Sequence, residues 1–310
     1  MQRTLSTPAA FSGLGLHSGL PASVTVWPAA ADHGLWFRRA DVAAQGAGDD
    51  AMVPARWDAV VPSRLCTVVA NRAGVQVSTI EHLMAALAGM GIHNALIDID
   101  GPEVPILDGS AVPFVAGFLA AGLAGQGVPL RAVRVLAPVE VSEGDAVARL
   151  EPAEMLEIDF RIDFADAAIG RQSMQMSMAN GAFVRELSDS RTFCREADVL
   201  SMRAQGLALG GTYENAVVFD GDRVLSPGGL RHKDEPVRHK MLDALGDLAL
   251  AGGPIFGRYI GSRAGHALTN RLLRKLFAMP DAFAWVECEQ PMGQKLPGVG
   301  VVQADLPRLR

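Results

Sequence analysis

The order of strand-like and helix-like segments is the feature that most restricts the fold of this chain. In the first third, short β-type runs such as ASVTVWPA, GLWFRRA and ALIDID are separated by turns, with the helix-type segment STIEHLMAALAGMG between them. The remainder repeats this style, with the β-type runs AVRVLAPVEV, DAVARLEP and LEIDFRIDF followed by helix-type segments at 235–253 and 265–279. Strands grouped apart from helices predict an α+β fold rather than a doubly wound sheet.

A boundary between two domains is expected near residue 127, where the small-residue segment GLAGQGVPLRAVRV has the composition of a linker. The length of 310 residues fits about two domains, which we assign to 1–127 and 128–310. The uncharged stretch 109–130 is long enough to span a bilayer. Its prolines and glycines instead favour a helix near 111–121 followed by the linker, so no membrane span is predicted.

Composition and charge exclude several classes of protein. The chain has 28 basic and 34 acidic residues and a net charge of −6, which argues against nucleic-acid binding because that needs a basic footprint. The cysteines Cys66, Cys194 and Cys288 form no CxxC pair and no disulfide framework, so we expect a protein of the reducing cytoplasm. Rossmann, Walker A, GxSxG and HExxH motifs are all absent from the sequence.

The helix-type segment 235–253 carries His239, Asp243 and Asp247, spaced four residues apart among apolar residues. Side chains four apart lie on one helix face with Cβ atoms ~5–6 Å from each other. His239 and Asp243 are therefore able to reach one metal ion at ~2.0–2.2 Å. The alternative is an exposed His–Asp pair that contributes only about a few tenths of a kcal/mol.

Two further histidines lie in patterns that admit both a structural and a functional interpretation. Ser78 and Glu81 have the spacing of a capping box, in which Glu81 only satisfies a backbone N–H. In the functional interpretation, His82 is a third metal ligand and Glu81 is the general base. His266 follows Gly265 where a loop enters a helix, and it is placed to donate a proton if the fold brings it near the metal.

Four segments together closely resemble one family: STIEHLMAALAGMGIHNALIDIDGPEVPILDGSA, SRTF, RHKMLDALGDLALAG and GHALTN. They are similar to the UDP-3-O-acyl-N-acetylglucosamine deacetylases, the zinc amidases of lipid A biosynthesis. The resemblance extends nearly end to end, from GLGLHSG to GHALTNRLL. It implies two domains of similar topology, each with two helices on a mostly antiparallel sheet. The helices face each other at the centre, and the active site lies between the domains.

The resemblance also implies roles for individual residues. It makes His82, His239 and Asp243 the metal ligands, Glu81 the general base, and His266 the proton donor paired with Asp247. It implies that Thr192 stabilises the oxyanion and that Lys240 and Phe193 lie near the substrate, and we add Arg263 as a further basic candidate. The segment 195–222 matches an inserted element that forms an apolar passage for the acyl chain.

The implied reaction is zinc-dependent removal of the N-acetyl group from UDP-3-O-(3-hydroxyacyl)-N-acetylglucosamine, a UDP-sugar with an acyl chain. We expect a cytoplasmic monomer. Imidazole and carboxylate ligands accept Fe(II) as well as Zn(II), so the sequence leaves the metal open. Two alternatives also stay open: a zinc hydrolase acting on another N-acyl sugar or small amide, and a binding protein with a structural metal site.

Overall fold

The computed structural model describes residues 1–46 and 48–308 and has an α+β fold, which confirms the predicted class. Within these residues there are seven α-helices: α1 Ala40–Ala43, α2 Glu81–Met90, α3 Val112–Ala121, α4 Ala182–Glu186, α5 Glu196–Ala204, α6 Glu235–Ala249 and α7 His266–Phe277. The first half contributes strands β1 Arg3–Leu5, β2 Ala9–Leu14, β3 Pro21–Pro28, β4 Leu35–Arg39, β5 Met52–Pro54, β6 Val60–Val61, β7 Val68–Ala70, β8 Gln76–Ser78, β9 Ala95–Ile99 and β10 Leu123–Gly125. The second half contributes β11 Arg131–Val135, β12 Val139–Glu143, β13 Ala146–Glu151, β14 Leu156–Asp163, β15 Arg171–Ser177, β16 Phe193–Arg195, β17 Val217–Asp220, β18 Arg223–Val224, β19 Ile255–Ser262 and β20 Phe283–Glu287.

The main sheet of the first half has the strand order β2-β3-β9-β4-β5. Its pairs are antiparallel except for β4 with β9. Alternation of apolar and polar residues explains these strands, since Ala22, Val24 and Val26 of β3 are buried while their neighbours face outward. The strands β6, β7 and β8 form a separate small sheet that leads into α2.

The main sheet of the second half has the strand order β12-β13-β19-β11-β20, and β14 also pairs with β19 while β15 pairs with β14. The long strand β19 is therefore the hub of this sheet, parallel to both β11 and β14. The smaller strands β16, β17 and β18 form a sheet of their own beside α5.

Helices α2 and α6, one from each half, pack against each other at the centre of the molecule. Gly246 permits their close approach, because a Cβ atom there would lie 2.1 Å from the carbonyl oxygen of Glu81. Helix α3 packs on α2 and β2, while α7 packs on α6 and the strands β12 and β13. The expected meeting of helices from the two halves is confirmed.

Two local expectations need correction. The predicted linker contains strand β10, because the backbone of residues 123–125 pairs with β1 near the N-terminus. The run AVRVLAPVEV forms two strands instead of one, since Pro138 lies between β11 and β12 and cannot donate to a ladder. Among the described residues, no helix has both the length and the apolar character needed to cross a bilayer.

Candidate functional site

The N-terminal turn of α2 and the middle of α6 bring five ionisable side chains into one buried cluster. Helix α2 begins with Glu81 and His82, and α6 presents His239, Asp243 and Asp247 at successive turns. All five residues are only 2–5% exposed. The exposed-pair interpretation of His239 and Asp243 is therefore wrong.

His82, His239 and Asp243 form a compact group of ligand atoms. One atom from each residue lies within 4.8 Å of the others. Oδ1 of Asp243 is 3.2 Å from Nε2 of His239 and 3.6 Å from Nε2 of His82. Ligand atoms held at ~2.0–2.1 Å around a tetrahedral ion lie roughly 3.3 Å apart, so this spacing fits one metal ion.

The hydrogen bonds around this group leave the ligand atoms available. Nδ1 of His239 lies 3.0 Å from the carbonyl oxygen of Ser190, which only accepts, so Nδ1 carries a proton and Nε2 is the nitrogen that faces the group. Nζ of Lys240 donates to Oδ2 of Asp243 at 2.8 Å. Oδ1 of Asp243 is buried without a hydrogen-bond partner among the described residues. Such an orphaned carboxylate oxygen is expected where a cation binds.

Protonation states also favour a cation. Burial, followed by the nearby His239, lowers the pKa of His82 to about 3, so its imidazole is neutral at physiological pH. Burial raises the pKa of Asp243, but His239 and Lys240 outweigh it and hold that pKa well below its usual range. The group therefore combines a neutral imidazole with an ionised carboxylate, as divalent-metal binding requires.

Glu81 lies beside the group of His82, His239 and Asp243 and is not part of a capping box. The side chain of Ser78 donates to the carbonyl of Pro102, and no side chain caps α2. Oε2 of Glu81 instead accepts the backbone N–H of Thr67 at 3.0 Å. Burial raises the pKa of Glu81 to about 7, which suits a group that takes and releases a proton near neutrality.

His266, the first residue of α7, forms a pair with Asp247 of α6. Its Nδ1 is 2.9 Å from Oδ2 of Asp247, and its Nε2 is 3.8 Å from Oε1 of Glu81. Burial lowers the pKa of His266, but the carboxylates of Asp247 and Glu81 outweigh it and raise that pKa to about 9. The ring therefore carries a proton at neutral pH, with Asp247 holding the edge that bears Nδ1.

A cavity of about 670 Å³ opens onto these groups. From the cluster and its surroundings, the lining includes Glu81, His82, His239, Lys240, Asp243 and His266. Helix α5 and the loop after it also line the cavity, with the apolar residues Val199, Leu200, Met202, Leu207 and Ala208 and with charged residues such as Glu196, Asp198 and Arg203. The segment 195–222 thus supplies a set of apolar side chains to the cavity that contains the ionisable cluster.

Thr192 and Phe193 line the same cavity. The backbone N–H of Thr192 donates to the carbonyl of Gly109 at 2.7 Å, and its carbonyl accepts from Val217 at 2.8 Å. The ring of Phe193 lies edge-on to that of His239, with centroids 6.3 Å apart. The neighbouring residue, Arg191, connects this segment to the start of α6 through a buried ion pair with Glu235 at 2.9 Å.

Two candidate residues do not line this cavity: Asp247, whose carboxylate contacts His266 of the lining, and Arg263. The guanidinium of Arg263 forms ion pairs with Asp145 at 3.0 Å and Asp163 at 2.6 Å on an exposed surface. Conversely, the sequence patterns gave no indication of Thr67, which contacts both Glu81 and Asp247. Its contributions are a backbone N–H and a hydroxyl, and its partner Asp247 is 180 residues away in the sequence.

The arrangement suits hydrolysis of a polar bond. Structural zinc sites are normally closed by four protein ligands, whereas catalytic sites use three and keep a position open. Here a three-residue group lines a cavity together with the carboxyl group of Glu81 and the imidazole of His266, whose nearest atoms are 3.8 Å apart. These are the parts of a hydrolase that works with a divalent cation.

Comparison with known proteins agrees with this class. The family profile described as UDP-3-O-acyl N-acetylglycosamine deacetylase (LpxC) matches residues 2–278. A UDP-3-O-acyl-N-acetylglucosamine deacetylase of Phenylobacterium zucineum is 52% identical over 282 residues, covering 91% of this chain and 95% of the relative. Proteins of the same name are 47% identical in Anaeromyxobacter sp. (90% and 89% covered) and 44% identical in Shewanella frigidimarina (96% and 97% covered). The chain belongs to the UDP-3-O-acyl-N-acetylglucosamine deacetylase family and is an enzyme of the hydrolase class.

Proposed function

We propose that this protein removes the N-acetyl group from UDP-3-O-(3-hydroxyacyl)-N-acetylglucosamine. The products are UDP-3-O-acyl-glucosamine and acetate, in the committed step of lipid A biosynthesis in the cytoplasm. The observation that carries the proposal is the group His82, His239 and Asp243 in the lining of a cavity that is also lined by Glu81 and His266. Membership of the deacetylase family supports the choice of substrate.

The cofactor is Zn²⁺, with Fe²⁺ as the alternative that the same ligands accept. His82, His239 and Asp243 hold it, and the orphaned Oδ1 of Asp243 is the observation that favours a cation there. When bound, the ion supplies a Lewis acid that polarises the acetamide carbonyl and makes water acidic enough to be activated near neutral pH.

The protein's own groups move the protons. Oε1 of Glu81 takes a proton from the attacking water, for which its raised pKa of about 7 is suited. Expulsion of the amine requires a proton because an amide anion is a very poor leaving group. Nε2 of His266, kept protonated by Asp247, donates that proton to the nitrogen of the scissile bond.

The remaining cavity residues bind and orient the substrate. The Thr192 hydroxyl donates to the developing oxyanion, an interaction that is strongest in the transition state. Lys240 meets an anionic group of the substrate, and Phe193 packs against the sugar end. The apolar side chains of segment 195–222, in the second of two domains divided near residue 127, take the acyl chain. The ion pairs of Arg263 with Asp145 and Asp163 give it no part in this proposal.

The test combines metal content with acetate release from UDP-3-O-(3-hydroxyacyl)-N-acetylglucosamine, before and after chelation. We expect about one metal ion per chain, activity lost on chelation and activity restored by Zn²⁺. A bound metal without acetate release would reject the substrate and retain the site. Full activity in metal-free protein would reject the mechanism. Reloading with Fe²⁺ in the absence of oxygen compares the two metals directly.

A further inference from the structure

Thr67 occupies a position between the two groups that handle protons. It lies just before β7, in the half of the chain that contains Glu81, and is only 3% exposed. Its backbone N–H donates to Oε2 of Glu81 at 3.0 Å, and its hydroxyl donates to Oδ1 of Asp247 at 2.6 Å. One residue therefore contacts carboxylates on two different helices, α2 and α6.

The hydroxyl of Thr67 completes the hydrogen bonding of Asp247. Oδ2 of this carboxylate is 2.9 Å from Nδ1 of His266, and Oδ1 accepts the Thr67 hydroxyl. With both oxygens engaged, the carboxylate plane is fixed, and so is the plane of the imidazole that it holds. Partners that orient a catalytic histidine in this way determine where its other nitrogen points.

The backbone N–H of Thr67 acts in the same way on Glu81. By engaging Oε2, it leaves Oε1 as the oxygen nearest to His266, 3.8 Å from Nε2 of that ring. The two reactive atoms, Oε1 of Glu81 and Nε2 of His266, are thus both oriented by one residue. The connection from Glu81 to His266 runs through Thr67 and Asp247. Within Thr67 it spans only the few bonds between the backbone nitrogen and Oγ1.

We propose that Thr67 is a positioning residue that sets His266, through Asp247, relative to Glu81. This inference rests on the proposed function, because its main effect is expected in the rate of deacetylation. Thr67 makes no contact with the three metal-ligand residues in the hydrogen bonds described. Its loss is therefore expected to change proton transfer and to leave metal binding intact.

Two substitutions separate the hydroxyl from the shape of the side chain. Thr67→Val removes the hydroxyl and keeps the volume and the backbone N–H, whereas Thr67→Ser keeps the hydroxyl. In zinc-loaded protein we expect Thr67→Val to lower kcat by about 10- to 100-fold, with KM and metal content nearly unchanged. Thr67→Ser is expected to restore most of kcat.

A matched control measures the general effect of deleting a buried hydroxyl. Thr4 is also buried, at 7% exposure, and does not line the cavity; its hydroxyl donates to the carbonyl of Asn94 and accepts the backbone N–H of Ala29. Thr4→Val should lower the melting temperature without lowering kcat. If Thr4→Val lowers kcat as much as Thr67→Val does, the effect is one of stability and the proposal fails.

A double-mutant cycle tests the route of the effect. If Thr67 acts through Asp247 and His266, Thr67→Val should cause little further loss of kcat in a His266→Gln background. If the loss of kcat in the double variant equals the product of the two single losses, the proposal fails. It also fails if Thr67→Val has an unchanged kcat or loses its metal.

A measurement without substrate distinguishes this proposal from the proposed function. The ring N–H proton that His266 shares with Asp247 is expected far downfield in the proton NMR spectrum, and His266→Gln identifies it by its loss. Thr67→Val should shift or broaden this signal, and Thr67→Ser should preserve it. An unaltered signal in Thr67→Val rejects the positioning role even if the substrate proves to be a different amide.

Discussion

At the scale of the residue, burial gives the adjacent Glu81 and His82 their separate chemistry. A low-dielectric environment disfavours the charged form of any group, so it raises the pKa of a carboxylic acid and lowers that of an imidazole. Glu81 accordingly has a pKa of about 7 and His82 a pKa of about 3. The same surroundings therefore produce a carboxyl group that exchanges protons near neutral pH and a neutral imidazole that can bind a cation.

The first prediction separates these two roles. Glu81→Gln keeps the side-chain shape and removes the base, so metal content should stay near that of the wild type while kcat falls by about 10²- to 10⁴-fold. Asp243→Ala is the matched comparison, because it removes the carboxylate that we propose as a metal ligand and should lose metal and activity together. Metal analysis with acetate-release kinetics checks both. Loss of metal in Glu81→Gln would show that Glu81 is structural.

The second prediction concerns the alkaline side of the pH profile. His266 has its pKa raised to about 9, so it is protonated at neutral pH and loses its proton as the pH rises through that value. A bound dication would move this value downward. The wild-type rate should therefore fall on the alkaline side, while His266→Gln should be slower by about 10²- to 10⁴-fold, retain metal and lack that decrease. A variant that keeps the alkaline decrease would contradict the acid role.

At the scale of the element, the sequence predicted helices better than it predicted the central strand. Helix α6 lies at the start of the expected segment 235–253 because its apolar residues follow helical spacing. Strand β19 was missed because Gly257 and Gly261 interrupt its apolar alternation. The structure explains both glycines: a Cβ at either position would lie 2.7 Å from Val135 or Phe160. Because contacts with the neighbouring strands require these glycines, the sequence of β19 itself contains no pattern that predicts the strand.

The site was predictable to a similar extent. The residues that form its cluster occur in contiguous motifs, such as Glu81 with His82, and helical spacing places His239, Asp243 and Asp247 on one face. Thr67 was not predictable, since its role depends on two tertiary contacts and needs no special residue at a fixed spacing. Arg263 was overestimated because a basic residue near His266 in sequence says nothing about the acidic partners that bind it.

The third prediction tests the contact between α2 and α6. Gly246→Ala would place a Cβ 2.1 Å from the carbonyl oxygen of Glu81. Because the atoms it meets belong to the backbone of α2, no side chain can rotate to relieve the clash. We expect a loss of about 1–3 kcal/mol in the free energy of unfolding. Activity should fall as well, because the displaced turn carries Glu81 and His82.

Gly101→Ala is the control for this prediction. A Cβ at Gly101 has no atom within 4 Å, and its backbone is outside the left-handed region. This substitution should leave stability and kcat close to those of the wild type. Equal stability of the two variants in urea unfolding would show that the helices separate at little cost.

At the scale of the whole molecule, the two ends of the chain meet beside the C-terminal end of α2. Strand β1 pairs with β10, and the side chain of Arg3 donates to the carbonyl of Gly298 at 3.1 Å. Gly298 packs so tightly on α2 that a Cβ there would lie 2.2 Å from the carbonyl carbon of Met90. The helix that begins with Glu81 is thus held at its far end by both terminal segments.

The last prediction uses His93, which fastens β1 to this assembly. Its Nδ1 accepts the backbone N–H of Arg3 at 3.0 Å, so the folded protein requires that nitrogen to be unprotonated. Burial, followed by the charge of Arg3, lowers the pKa of His93 to about 3, whereas an unfolded histidine has a pKa of about 6.5. Between these values the unfolded chain binds a proton that the folded protein does not, so stability falls as the pH decreases, by at most about 1.4 kcal/mol per pH unit.

His93→Gln retains a hydrogen-bond acceptor and removes this titration. Between about pH 7.5 and about pH 5, it should therefore lose less stability than the wild type, by up to about 2 kcal/mol. His82, whose pKa is also lowered, likewise makes stability fall as the pH decreases, whereas His266, whose pKa is raised, has the opposite effect. Both residues are present in the wild type and in the variant, so their contributions cancel in the comparison. Urea unfolding at the two pH values gives the result. Parallel decreases in the wild type and His93→Gln would show that the contact of His93 with Arg3 does not contribute to the acid sensitivity of the fold.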